Sequence, residues 1–190
     1  MATRLITAPA TEPITTAEAK AHLRVTSSAE DTLIDALVKA VRMTAEHDLQ
    51  RALITQVWEV TLDAFPLEIE LPYPPTISVD FVKYLEPVAG VLTTLSSAAY
   101  SLDAKSEPGW IVPAFDYDWP DTLDAINAVT VQYQAGYGAA AAVPQAIKQW
   151  MLLMVGHYFE NREASMPAVT TTPLPFIAGL LDPFRIMRVY

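Results

Sequence analysis

The chain has 190 residues, 52% of them hydrophobic and 18% charged, with no cysteine and a net charge of −10. Those figures exclude global disorder, a disulfide scaffold and thiolate metal sites, and the length suits one domain or one domain with a large insertion. Between residues 53 and 142 only Lys83 and Lys105 stand against 12 carboxylates, a balance that opposes binding to nucleic-acid phosphates.

The opening "MATRLITAPATEP" lacks the apolar core of a signal peptide. In "ITTAEAKAHLRV", Thr15 and Glu18 form a capping-box pattern that predicts a helix over about 16–24. Ser28 is the expected N-cap of a second helix, with Glu30 and Asp31 near its positive end. Along it Leu33, Ile34, Leu37, Val38, Val41 and Ala45 recur at the spacing of an amphipathic stripe.

After Leu53 the period falls to two. "QVWEVTLDAF" alternates as a half-buried strand, "LEIELP", "ISVDFVKYLE" and "AAYSLD" read as further strands, and "NAVTVQYQAGYG" reads as a strand ending in a glycine turn. "EPVAGV" reads as a turn around Gly90, and "IVPAFDYDWP" as irregular chain. Helical spacing returns after Pro144, expected at the first helical position. Ile147, Trp150, Met151, Met154, Val155 and Tyr158 trace one face to about Glu163. The apolar run Trp150–Phe159 within it falls short of the roughly 20 residues that span a bilayer, so a soluble intracellular protein with no membrane partner is expected.

The expected fold class is α+β: a small helical bundle interrupted by a mainly antiparallel β insertion. Residues 15–52 and 143–164 form the bundle, 53–142 the acidic insertion and 165–190 an extended C-terminal arm.

No residue pattern in this chain reads as catalytic. His157 and Glu160 share the i, i+3 spacing of metal ligands on a helix, but no second such pair exists, and a packed or capping histidine accounts for it better. His22 and His47 also fall on predicted helices. Asp116 and Asp118 offer paired carboxylates for acid/base work or a cation, yet neither a calcium-loop pattern nor a suitably spaced Glu follows, so a solvated acidic loop is the better account. "GYG" at 136–138 lacks the continuation of a phosphate cradle, and no nucleophile elbow occurs. No catalytic residue, metal or cofactor is expected.

The end of the chain, "TTTPLPFIAGLLDPFRIMRVY", is apolar and dense in proline. Two readings remain open: an arm folded back on its own domain, or an arm that docks on another subunit, which is favoured here. Pro173 and Pro175 hold such an arm extended, and Phe176, Leu180, Leu181 and Phe184 are its expected anchors. Arg185 and Arg188 are expected to pair with acidic groups of the partner.

"ITTAEAKAHLRV", "DTLIDALVKAVRMTAEHDLQRALITQVWEVTLDAFP", "VQYQAGYG" and "VPQAIKQWMLLMVGHYFENRE" follow one another in an order and spacing that resemble the head–tail connector proteins of tailed bacteriophages and gene transfer agents, also called adaptor or head-completion proteins. The resemblance covers roughly residues 14–164, and its most specific pieces are "RALITQVWEVTLDAFP" and "HYFENRE". It implies a non-enzymatic ring homo-oligomer of about a dozen copies in the neck of a phage-like particle assembled in the bacterial cytoplasm. The implied partners are the portal protein and a tail-side stopper or terminator protein, with DNA passing through the lumen without specific binding. A ligand- or cation-binding enzyme or module built on the acidic β section is the competing class.

Overall fold

The structure, a computed structural model, describes residues 1–161 and 179–186. The described chain divides into two compact units, Met1–Ala10 with Ile54–Gly138, and Thr11–Leu53 with the described residues from Ala139 onward.

The first unit holds eight strands: β1 (Ala2–Thr7), β2 (Gln56–Leu62), β3 (Ile69–Leu71), β4 (Thr76–Leu85), β5 (Leu92–Thr94), β6 (Tyr100–Asp103), β7 (Gly109–Pro113) and β8 (Val129–Ala135). They form a five-stranded sheet of order β1-β2-β8-β4-β5 and a three-stranded sheet of order β3-β7-β6, with every pairing antiparallel. β8 is central because its sequence alternates: Val129, Val131, Tyr133 and Ala135 are all buried, while the residues between them are half-buried. It pairs with β2 without a break from Gln56↔Ala135 to Leu62↔Val129. On its other side β4 runs from Thr76↔Ala135 to Tyr84↔Val129, with the register shifting between Thr76 and Ser78 and between Val79 and Phe81.

The three-stranded sheet comes close to the larger one. Tyr133, fully buried, donates its hydroxyl to the Pro72 carbonyl, and burial pushes that phenol's pKa upward. Gly109 opens β7 where a Cβ would lie 2.4 Å from the Thr76 hydroxyl, so only glycine fits.

The second unit holds α1 (Thr16–Leu23), α2 (Asp31–Leu49) and α3 (Gln145–Glu160). The capping box forms as the sequence implies: Glu18 N–H donates to Thr15 Oγ1 at 3.1 Å, and Thr15 N–H donates to Glu18 Oε2 at 2.7 Å. The Thr15 N–H, joined by the Thr15 hydroxyl, donates to the Glu18 carboxyl and holds it below its ordinary pKa. Ile34, Val38, Val41, Ala45 and Leu49 are the buried stripe of α2. Among them lies Arg42, 4% exposed, which donates to Glu12 Oε2 at 2.7 Å and also to Glu46. At Gly156 α3 faces α1, where an added Cβ would make ordinary contact 3.6 Å from the His22 ring.

The α+β class and the strand over Trp58–Leu62 are as expected, and four details differ. β1 was not anticipated, since all six of its residues are exposed and no buried face marks it. Of residues 111–120, read as irregular, 111–113 belong to β7, because Ile111 is fully buried opposite Ile69 and Leu102. Ser28 does not cap α2. The helix starts at Asp31 with Glu30 at the cap position, while the Ser28 carbonyl accepts from Asp31 N–H. Pro144 stands one residue ahead of the first helical position of α3, and that helix ends at Glu160 rather than Glu163.

Candidate functional site

Among the described residues no three His, Asp or Glu side chains gather as a metal site. No helix among them is long and apolar enough to cross a membrane. His157 is exposed at the end of α3, its Nδ1 3.3 Å from the Asn161 amide, and Asp116 and Asp118 are both exposed in the loop after β7. Two apolar segments bear on binding: the end of the chain and the loops at one end of the five-stranded sheet.

The first is the end of the chain. Pro173, Pro175, Phe176 and Arg188 lie outside the described residues, whereas Leu180, Leu181, Phe184 and Arg185 lie within them. A short 3-10 turn over Asp182–Phe184 follows Leu181, which is 1% exposed. Arg51 donates its Nε–H to the Phe184 carbonyl, and Ile186 N–H donates to the Leu49 carbonyl at 3.1 Å. Both acceptor–donor pairs tie this segment to the C-terminal end of α2 in the same protomer. Leu181 therefore belongs to the chain's own core, and at this residue the structure follows the reading of an arm folded back on its own domain. Leu180 and Phe184 are half-buried, and Arg185 is exposed, 3.7 Å from Asp182.

The second place is one end of the five-stranded sheet, where sequence reasoning singled out only the aspartate pair. β2 finishes, β4 finishes and β8 starts there, since Leu62 and Tyr84 both stand opposite Val129. Three loops flank this end: 63–68 runs from β2 to β3, 86–91 from β4 to β5, and 114–127 from β7 of the three-stranded sheet into β8. The first and third are tied together. Asn127 N–H donates to Asp63 Oδ1 at 2.8 Å, and Leu123 N–H donates to the Leu85 carbonyl at 3.0 Å. Phe65 stacks on Trp119 with ring centroids 4.7 Å apart, and the Trp119 indole donates to the Leu67 carbonyl. An open cleft of about 330 Å³ lies between the second and third loops, walled by Tyr84, Pro87, Val88 and Pro120.

From these anchored loops large apolar side chains point into solvent: Val88 and Phe115 are each 98% exposed, Leu67 91% and Ile126 82%. A signal was present in the sequence. Apolar residues stand at loop positions beside proline and a carboxylate in "FPLE", "EPVAGV" and "PAFDYDWP", but only the fold shows that the three come to one end.

No family model matches this chain, and no curated protein does. Solved structures do. Over 100% of this chain and 98% of the other, it matches a chain from the neck of an empty gene transfer agent particle computed with C6 symmetry (24% identity, TM-score 0.79) and one from the virion of a native gene transfer agent particle (25%, 0.80). A third match, with the same coverage, is to the neck of the native particle computed with C12 symmetry (24% identity, TM-score 0.70). The whole fold, strands and helices together, is thus one found in gene transfer agent particles.

Proposed function

We propose that this chain is a structural head–tail adaptor: it forms a ring in the neck of a phage-like particle and joins the DNA-filled head to the tail. The observation that carries this reading is the end-to-end match to chains of gene transfer agent necks, two of them in assemblies of C6 and C12 symmetry. A cyclic assembly suits a neck component, because its work is done by repeated identical contacts. The negative charge of residues 53–142 suits a neighbour of passing DNA, since carboxylates repel phosphate instead of holding it.

In this reading the partners are the portal protein, a tail-side stopper or terminator protein and further copies of the chain. The arm contacts the portal through Pro173, Pro175, Phe176 and Arg188, together with Leu180, Phe184 and Arg185. Leu181 serves instead as the pin that fastens the arm's base to α2, as its burial supports.

The test is a deletion of the gene followed by electron microscopy of the particles. Heads and free tails that never join are expected, with joining restored by the gene supplied in trans. Intact tailed particles from the deletion strain would overturn the proposal.

A further inference from the structure

We infer that the three-loop end of the five-stranded sheet is a docking surface for a different protein of the neck, one whose facing surface is basic around an apolar pocket. This rests on the adaptor reading and assigns to that reading a contact surface away from the arm.

Three observations converge. The first is exposure. A single apolar side chain in solvent is ordinary, but here Leu67, Val88, Phe115 and Ile126 stand 82–98% exposed on loops that share one end of one sheet. The second is support. The first and third loops are fixed to each other by the Asn127–Asp63 hydrogen bond and the Phe65–Trp119 stack, Leu123 ties the third to Leu85 at the end of β4, and the second loop is closed on itself by the Glu86–Val91 and Gly90–Glu86 backbone bonds. Side chains held out on a braced frame lose little conformational freedom when a partner covers them, which is the condition for apolar anchors to bind well. The third is charge. The first loop carries Asp63 and Glu68, the second Glu86 and the third four aspartates, and none of the three carries Lys, Arg or His.

That charge selects the partner. DNA is repelled, and so is the same end of a second copy, because like charges brought together at an interface are costly. A basic protein surface is attracted, and the carboxylates then form the polar rim around Phe115 and Val88. The cleft beside Val88 is open to receive an apolar side chain in return. No third carboxylate or histidine completes a cation site here among the described residues, so the acidic residues are read as a rim rather than as ligands.

The experiment uses the full chain in assembled particles. The photo-crosslinking residue p-benzoylphenylalanine replaces Phe115, a position where 98% exposure leaves the fold undisturbed, and irradiated particles are analysed by mass spectrometry. The expected result is a crosslink to a different particle protein, at a segment where Lys or Arg flanks apolar residues, with a yield that falls as salt rises. The doubly substituted chain, Val88→Ser with Phe115→Ser, is expected to fold normally and to lower the yield of tailed particles about tenfold or more. Crosslinks only to another copy of this chain or to DNA, or none in particles that contain the labelled chain, would overturn the inference while leaving the adaptor reading standing. A full yield of tailed particles from the double variant would overturn it too. Absence of the wild-type chain from purified particles would instead remove the adaptor reading, and this surface with it.

Discussion

The chain has two stretches that are apolar where a surface is expected to be polar, and the fold treats them in opposite ways. At residues 179–186 the apolar sequence is turned inward: Leu181 is buried and two backbone carbonyls, of Phe184 and Leu49, take part in bonds that hold the segment on α2. At the loop end of the sheet unit the bracing is as thorough, yet Val88, Phe115, Leu67 and Ile126 are left outside. What separates the two stretches is where the hydrogen bonds go: in the tail they run to the end of α2 beside the buried Leu181, and in the loops they run within a loop, to a strand end or to a neighbouring loop's side chain, leaving the apolar side chains outside.

The comparison is tested most strongly at Leu181. Leu181→Ala leaves a cavity beneath the tail and is expected to cost about 2–5 kcal/mol, roughly 4–20 °C in the melting temperature of the isolated protomer. Thermal denaturation that shows no change would place Leu181 on the outside after all.

Trp119→Ala removes the stack on Phe65 and the bond to the Leu67 carbonyl. A loss of about 1–3 kcal/mol is expected. Hydrogen exchange should show faster opening of the 114–127 loop, and unaltered exchange there would mean the tips are not braced by this ring.

Thr15→Ala is a yardstick within the second unit, at about 0.5–2 kcal/mol for a lost cap. Its effect depends on pH with a definite sign. The folded pKa of Glu18 is lowered, so the box stabilises above the ordinary carboxylate value and that stability is lost as pH falls through the folded pKa. The gap in melting temperature between wild type and variant should therefore narrow on acidification, and a gap that widened would assign the shift to another cause.

Phe115→Ser should alter protomer stability by no more than about 0.5 kcal/mol, since almost all of the ring is already in water. Smallest of all is Asp116→Asn with Asp118→Asn. Both groups are exposed, and the three loops keep five other carboxylates, so particle formation counted by electron microscopy should be unchanged. Loss of particles with normally folded protein would give these two aspartates a role that a rim does not explain.

The local features were the ones legible in the sequence. Thr15 and Glu18 are three residues apart, and their capping box could be read without knowing anything else about the chain. The alternation of β8 and the stripe from Ile34 to Leu49 were equally plain, because each is written within one element. β1 was hidden because an edge strand with six exposed residues has no buried face to impose a period. β7 was hidden behind Pro113, which ends a strand as readily as it forbids one. The fate of Leu181 was unreadable for another reason: the groups that fix its segment, at Leu49 and Arg51, are more than a hundred residues earlier. The loop end is a gathering of three separate segments, and only the pairing of β2 and β4 with β8 brings them together.

The same pairings dictate when the protein can become itself during synthesis. β1 is made first, but among the described strands it pairs with β2 alone, and β2 in turn pairs with β8, the last of them in the chain. The helical unit waits as well, for α3 and then for the residues around Leu181. Neither unit is a continuous stretch of chain, so a ribosome that has released the first hundred residues has released no finished half of the molecule. Long-range closure of this kind is slow and leaves apolar strands uncovered while it proceeds. A late-closing protomer also reaches its neighbours only after its whole sequence has been made.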